Sequence, residues 1–374
     1  MTSNIARAWA LLANAIVLGF LAFFACLAVY NPDAYYRSVQ EDQALEWASF
    51  WSFLIAGLVF GLVAVRQRRS TGALSWFPMG LTLFCFFVAM EEISWGQRIF
   101  GNRPPVYFLE QNYQQELNLH NIASTWLRLF VFRAIVLGYG VLLPLLQRIP
   151  EARRLMERLR IIPPPASLVP SMLTMFCLHL WYPWKFTGEV IECSLGMGFL
   201  FAAIGNASAL TPDLNRSPIR WTIALTVSIV LLAFSAACWS QNGRTDDHAK
   251  VALAQTEAEA LARDLIEAGN ARNKPTITSC GLHKRLYTFV EGNGRARSLE
   301  TGGFAALTAR GLPDARAEFY LDPWNSPYWI RDRCDERRGR RAIFVYSYGP
   351  NRIRDSSRWE ILGDDIGAYV LVEP

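Results

Sequence analysis

One stretch of the chain gathers residue types able to do chemistry. It runs Glu91-Glu92-Ile93-Ser94-Trp95-Gly96-Gln97-Arg98 and is followed, after a short interval, by Glu116-Leu117-Asn118-Leu119-His120-Asn121. Carboxylates beside an imidazole suit general acid/base catalysis: crowding pushes one carboxyl pKa upward, and a neutral imidazole can take a proton or ligate a metal. Glu116 and His120 are four apart and share a face if that segment is helical. On this reading Glu91, Glu92, Glu116 and His120 are the candidate catalytic residues. Gln97, Arg98, Arg128, Glu189 and Glu192 support them, and an unidentified metal is one use for the set. An interhelical ion-pair network in which Arg128 neutralises Glu91 or Glu92 accounts for the same residues, and residue types alone do not decide between the two.

The elements that must position these groups are membrane helices. Across residues 1–240 there are 140 hydrophobic and 30 charged residues, against 54 and 39 in residues 241–374. A bilayer core about 30 Å thick needs roughly 20 apolar residues per helix. Seven windows meet that demand, near 8–30, 47–65, 73–90, 122–146, 166–184, 190–209 and 221–240, and the first reads as a retained anchor rather than a cleaved signal. With the N-terminus inside, the inner loops hold 11 Lys and Arg and the outer loops 4, so the chain is expected to run N-in and C-out. The expected location is a bacterial inner membrane, with the C-terminal domain in the periplasm and the lipid bilayer as a partner. Topology explains the basic excess, and no nucleic-acid partner is needed. The spacing of residues 91–98 and 118–121 resembles a pattern shared by uncharacterised polytopic bacterial membrane proteins, which implies no particular chemistry.

Five cysteines fall in or at the ends of the apolar windows, where Cys behaves as a small hydrophobe. Cys280 and Cys334 are the only two beyond them, and an oxidising compartment makes their pairing the expected state.

Beyond the last window, Val251, Ala254, Ala258, Leu261, Leu265 and Ala268 recur at three- and four-residue steps, which predicts a helix from about Thr245 to Asn270 continuing from the membrane. The period then changes. The stretch Phe319–Ile330 leads into a charged turn, and strands are expected at 342–349 and 367–372, giving a long helix followed by a small antiparallel sheet. Asp322-Pro323-Trp324-Asn325-Ser326-Pro327-Tyr328 resembles the Asp-Pro-Trp-Gly-Asn-Pro-Tyr signature of the type II secretion major pseudopilin. Ser347-Tyr348-Gly349-Pro350-Asn351 and Gly363-Asp364-Asp365-Ile366-Gly367 resemble that family's following elements, in the same order. The resemblance spans residues 221–374, leaving 1–220 as a six-helix membrane domain. It implies an α+β pilin-like fold, a calcium ion held by Asn351, Asp364 and Asp365 with Ser347 as a backbone contributor, and an assembly role with periplasmic or membrane protein partners. Asn351 stands where the family has Asp, and Arg352 where it has Gly, which weakens the implied site. The last membrane window lacks the prepilin cleavage junction and its acidic residue, so a subunit that polymerises is not expected.

The fold class expected is therefore a seven-helix membrane protein carrying a pilin-like domain, with an interaction or assembly role. A membrane-embedded enzyme, such as a metal-dependent hydrolase built on Glu91, Glu92, Glu116 and His120, is the alternative, and a transporter is a further one. Nucleotide-binding, serine-hydrolase and HExxH motifs are absent from the sequence.

Overall fold

A computed structural model describes residues 3–73, 75–100, 102–112, 114–210, 218–242, 248–270, 280–292, 319–335, 339–356 and 359–373. The chain forms two compact units, the first comprising residues 1–96 and 123–238 and the second residues 97–122 and 239–374.

The first unit is a helical bundle: α1 (Ser3–Tyr30), α2 (Pro32–Ser38), α3 (Ala44–Thr71), α4 (Trp76–Glu92), α7 (Thr125–Leu146), α8 (Pro150–Leu159), α9 (Val169–Trp181), α10 (Thr187–Leu210) and α11 (Pro218–Asn242). Five of these, α1, α3, α7, α10 and α11, are long and apolar enough to cross a membrane. The other two apolar windows make shorter helices. At 17 residues, α4 reaches about 25 Å, just under a hydrocarbon core. Helix α10 is the axle of the bundle, with 89% of its apolar window buried. Its Phe199 meets rings from three other helices: Phe53 at 5.8 Å, Phe84 at 5.2 Å and Tyr139 at 5.0 Å. Small residues let the helices close on it, as expected where packing rather than the hydrophobic effect drives association. A Cβ at Gly205 would fall 2.5 Å from Pro165 Cγ, and one at Gly196 would fall 3.0 Å from Ser52 Cβ. Polar side chains add cross-links. The Trp9 indole donates to Thr222 Oγ1 at 3.0 Å, and Asn14 joins α1 to Ser167 and Ser171 at 2.7 and 2.6 Å.

The second unit contains α5 (Gln97–Phe100), α6 (Val106–Gln111), α12 (His248–Asn270), α13 (Leu286–Gly292) and an antiparallel sheet in the order β1 (His283–Arg285), β2 (Trp329–Asp335), β3 (Arg340–Ser347), β4 (Ile366–Glu373). The stripe on α12 buries Ala258, Leu261, Ala262 and Leu265 against Leu286, Tyr328, Ile330, Ile343, Val345 and Val370. The expected start of that helix, Thr245 to Asp247, lies outside the described residues. Strand β2 corrects the expected charged turn. Arg331, Asp332 and Arg333 are strand residues, held in register opposite Phe344, Ile343 and Ala342. The charges are accommodated because Asp332 accepts from Arg341 at 3.3 Å and Arg331 donates to the Ser356 carbonyl at 3.2 Å. Cys280 and Cys334 are disulfide-bonded across this edge.

Residues 97–122 are part of the same unit. Leu109 is buried with Phe319 and Leu321, Arg285 donates to the Leu109 carbonyl at 3.4 Å and also to that of Asn112, and Gln115 donates to the Phe319 carbonyl at 3.3 Å.

Candidate functional site

Glu91 and Glu92 close α4, and successive side chains on a helix point in different directions. Buried Glu91 accepts the Trp95 indole N–H at 2.6 Å. That contact requires a sharp reversal after the helix: Ser94, Trp95 and Gly96 take φ of +47°, +53° and +79° in succession. Two non-glycine residues in the left-handed region cost about 1–2 kcal/mol each, a strain the surrounding packing must hold in place. Glu92 instead interacts with Glu46, Glu189 and Glu192, and with Ser49. The packing register agrees. Gly57 of α3 lies against Cys85 of α4, and Gly196 of α10 against Ser52 of α3, so the end of α4 and the starts of α3 and α10 fall at one end of the bundle. Tyr182 lies among Glu189, Glu192 and Arg128. The first unit thus draws Glu92, Glu189, Glu192 and Arg128 toward one another. It also adds Glu46, which the sequence reading missed because this residue sits at the margin of an apolar window. Deeper in the bundle, Arg133 donates to His179 Nδ1 at 3.5 Å, and that ring stacks on Phe132 at 4.4 Å.

Glu116 and His120 lie in the second unit, in a turn-rich segment rather than a helix, so they do not share a helical face. The segment is an amide network. Asn112 donates to the carbonyls of Glu116 and Asn118 at 2.7 and 3.2 Å and to the Asn118 side chain at 2.7 Å. Asn118 donates to Glu116 Oε2 at 3.1 Å, and the Leu117 N–H donates to Gln97 Oε1 at 2.7 Å. Gln97, Asn112, Gln115 and Asn118 are buried, and His120 is exposed. Buried amides hydrogen-bonded to one another and to the backbone fix a loop's shape. The side chain of Arg98 lies outside the described residues.

In the second unit the Asp-Pro-Trp stretch is organised by one carboxylate. Asp322 is fully buried. Its Oδ1 accepts the N–H groups of Trp324 and Ser326 at 2.9 and 2.8 Å, and its Oδ2 accepts the Ser347 hydroxyl at 2.5 Å. Burial pushes its pKa up to about 6 despite those three donors. Ser347 Oγ in turn accepts the Gly349 N–H at 2.9 Å, and the Tyr328 hydroxyl donates to buried Glu257 on α12 at 2.8 Å. The signature therefore pins the end of β3 to its loop and the loop to the long helix.

The closing loop brings Asn351, Asp355 and Asp364 together. The Asn351 N–H donates to Asp364 Oδ2 at 3.0 Å, and its side-chain amide donates to Asp355 Oδ2 at 3.2 Å and to Asp364 Oδ1. Burial, with Asp355 alongside, raises the Asp364 pKa to about 6. The group of Asn351 that meets the two carboxylates is its amide nitrogen, a donor, while its Oδ1 accepts the Ile353 N–H at 2.6 Å; a hard cation there would need the amide to turn its oxygen inward. Asp355 was not among the expected ligands. Asp365 points to the Ser356 N–H at 2.7 Å, and burial raises its pKa to about 7. Ser347 gives its hydroxyl to Asp322. Both glycines here are required: at φ of +66° each, a Cβ on Gly349 would fall 2.0 Å from the Asp364 carbonyl oxygen, and one on Gly363 would fall 2.3 Å from Asp355 Oδ2. Among the described residues no group of three or more His, Cys, Asp or Glu is placed to hold a metal ion.

Comparison of the chain with family models, curated proteins and solved structures gives no match.

Proposed function

We propose that this chain is a seven-span inner-membrane protein, N-terminus inside, that holds a pseudopilin-like module on the periplasmic side as an assembly or docking element of secretion-type machinery, without itself polymerising. The observation that carries this reading is the Asp322 hub, in which the first residue of the resembling signature holds the backbone of Trp324 and Ser326 and the hydroxyl of Ser347. Integration of residues 97–122 beside β1 supports the non-polymerising part, because the module is built from two distant stretches of one polytopic chain. In cells, a photocrosslinking residue at exposed Tyr369 should capture secretion pseudopilus subunits. Crosslinks from Tyr369 that contain no pseudopilus subunit in cells that make them would sink the proposal. Alkaline phosphatase fused after Pro374 should be active, and an inactive fusion would reverse the assigned orientation.

A membrane-embedded enzyme is the second reading, favoured by the approach of Glu46, Glu92, Glu189 and Glu192 next to the strained Ser94-Trp95 turn. General acid/base work by Glu92 predicts that E92Q abolishes turnover of membrane lipids by the purified chain while E110Q, an exposed change, does not; equal activity in both variants rejects it.

A further inference from the structure

Between the end of α7 and the start of α9 the chain forms a short helix with two unlike sides. Pro150 opens α8, where a missing N–H costs nothing, and Glu151 in the first turn and Arg158 in the last suit the helix dipole. Arg160 ends it in the left-handed region at φ +55°. From there its N–H and that of Ile161 reach back to the Glu157 and Met156 carbonyls at 3.2 and 2.9 Å. The helical repeat puts Ala152, Leu155, Met156 and Leu159 on one side and Arg153, Arg154, Glu157 and Arg158 on the other.

The apolar side is only half covered. Met156 is buried, whereas Leu155 and Leu159, one turn apart, are 56% and 46% exposed. The helix is fixed with this edge open, because the Trp76 indole at the start of α4 donates to the Leu159 carbonyl at 2.7 Å. Trp76 is itself half exposed. Leu142, Leu145, Leu146 and Ile149 carry a second exposed apolar row, at three- and four-residue steps, out of the end of α7. That helix is long and apolar enough to cross a membrane, and only 22% of its apolar window is buried, so its open surface is a lipid-facing one. An apolar edge that continues such a surface, with a tryptophan beside it, lies where acyl chains give way to headgroups.

The charge fits that level. Residues 148–160 hold five arginines against two glutamates, a net of +3. Arg153 is paired with Glu157 at 2.9 Å. Arg154 and Arg158 are exposed, four apart on one side, and have no ion pair among the described residues. Like charges at this spacing oppose the helix unless an anion lies over them. Arg158 is three residues from Leu155, about 60° around the axis, so its guanidinium stands beside the headgroups when the leucines enter the acyl boundary.

We propose that α8 is an interfacial helix that binds anionic phospholipid, with Leu155 and Leu159 in the edge of the acyl layer and Arg154 and Arg158 on the headgroup phosphates. The leucines hold the helix on any bilayer, and the arginines make it prefer a negatively charged one. This rests on the membrane reading of the first unit, which resistance to carbonate extraction tests on its own.

The full-length chain is placed in phosphatidylcholine nanodiscs with rising fractions of phosphatidylglycerol, and hydrogen exchange is followed at residues 152–160. Protection should grow with the anionic fraction and level off, and about 0.5 M salt should reverse the gain. R154Q and R158Q should each weaken the apparent affinity for phosphatidylglycerol about fivefold, while R154K and R158K change it little, because a surface potential reads charge. A phosphatidylglycerol with a diazirine in its acyl chain should label residues 155–159, and L155Q/L159Q should lose that label. R263Q, an exposed change in the second unit, should alter neither readout. Unchanged melting curves establish that the variants fold. Equal protection in both lipids, a wild-type response in R154Q/R158Q, or no acyl label on α8 overturns the proposal. So does protection by soluble polyglutamate in pure phosphatidylcholine that matches the effect of phosphatidylglycerol, which would make the occupant an acidic protein. In each of these cases a chain that still resists carbonate extraction keeps its membrane reading.

Discussion

Removing the carboxylate of Asp322 in two different ways should have two different outcomes. Asp322→Ala leaves the Trp324 and Ser326 N–H groups and the Ser347 hydroxyl without their acceptor in a fully buried site. At about 1–2 kcal/mol for each stranded donor, the loss is about 3–6 kcal/mol. Asp322→Asn keeps an oxygen where Oδ1 accepts two N–H groups, and its amide can donate to Ser347 Oγ. It also removes a charge whose burial has a cost: raising the pKa from near 4 to about 6 corresponds to about 3 kcal/mol, to order of magnitude, against the ionised fold. The folded-state pKa lies above the unfolded one, so the folded state holds the proton more tightly. This group's contribution to stability is fully present below about pH 4 and is lost as pH rises through about 6. Asp364 and Asp365 shift in the same direction, so the comparison of D322N with wild type isolates Asp322. The assay is hydrogen exchange of β3 amides in the full-length chain in nanodiscs, corrected for intrinsic rates, below about pH 5 and at about pH 8. D322A should open β3 at both values. D322N should match or exceed wild type at the higher one and show a flatter pH response. If D322N is as damaging as D322A at high pH, the carboxylate's charge is needed and the reasoning fails.

Calcium should slow exchange across residues 349–365, and D355N or D364N should abolish the effect while D365N leaves it; protection that survives D364N would refute the ligand set. Reducing the Cys280–Cys334 bond, which closes a separation of 54 residues, should lower the stability of the β1–β2 edge by about 2–4 kcal/mol, read as faster exchange at 282–285 and 330–333. Gly205→Ala drives a methyl into the rigid Pro165 ring and should cost about 1–3 kcal/mol, seen as a lower melting temperature in detergent. Gly19→Ala, which meets nothing within 4 Å, should be silent there, and equal melting of the two variants would count against the packing argument.

Much of the architecture was legible because it is periodic. Five apolar windows became helices long and apolar enough to cross a membrane, and the three- and four-residue stripe on α12 became the core-facing side of that helix. Strand β2 was hidden because Arg331, Asp332 and Arg333 look solvated until their partners are known, and those partners lie on β3 and in the loop near Ser356. Glu257 escaped notice for the same reason, as a charge that becomes reasonable only once the Tyr328 hydroxyl meets it. At the candidate site, residue types identified Glu92, Glu189 and Glu192 but not Glu46, and the helical face expected for Glu116 and His120 is a turn-rich segment instead. The amide network of 112–121 could not be read beforehand, since its bonds depend on turns that no periodicity announces.

The two-piece construction of the second unit also sets an order of events during synthesis. Residues 97–122 emerge first, and Arg285, Phe319 and Leu321, which they need, follow only roughly 160–200 residues later, after the intervening helical bundle, about 8–40 s of elongation. Over that interval Leu109 and Gln115 wait for Phe319 and Leu321, so completion of this unit reports that the intervening helices have already been made.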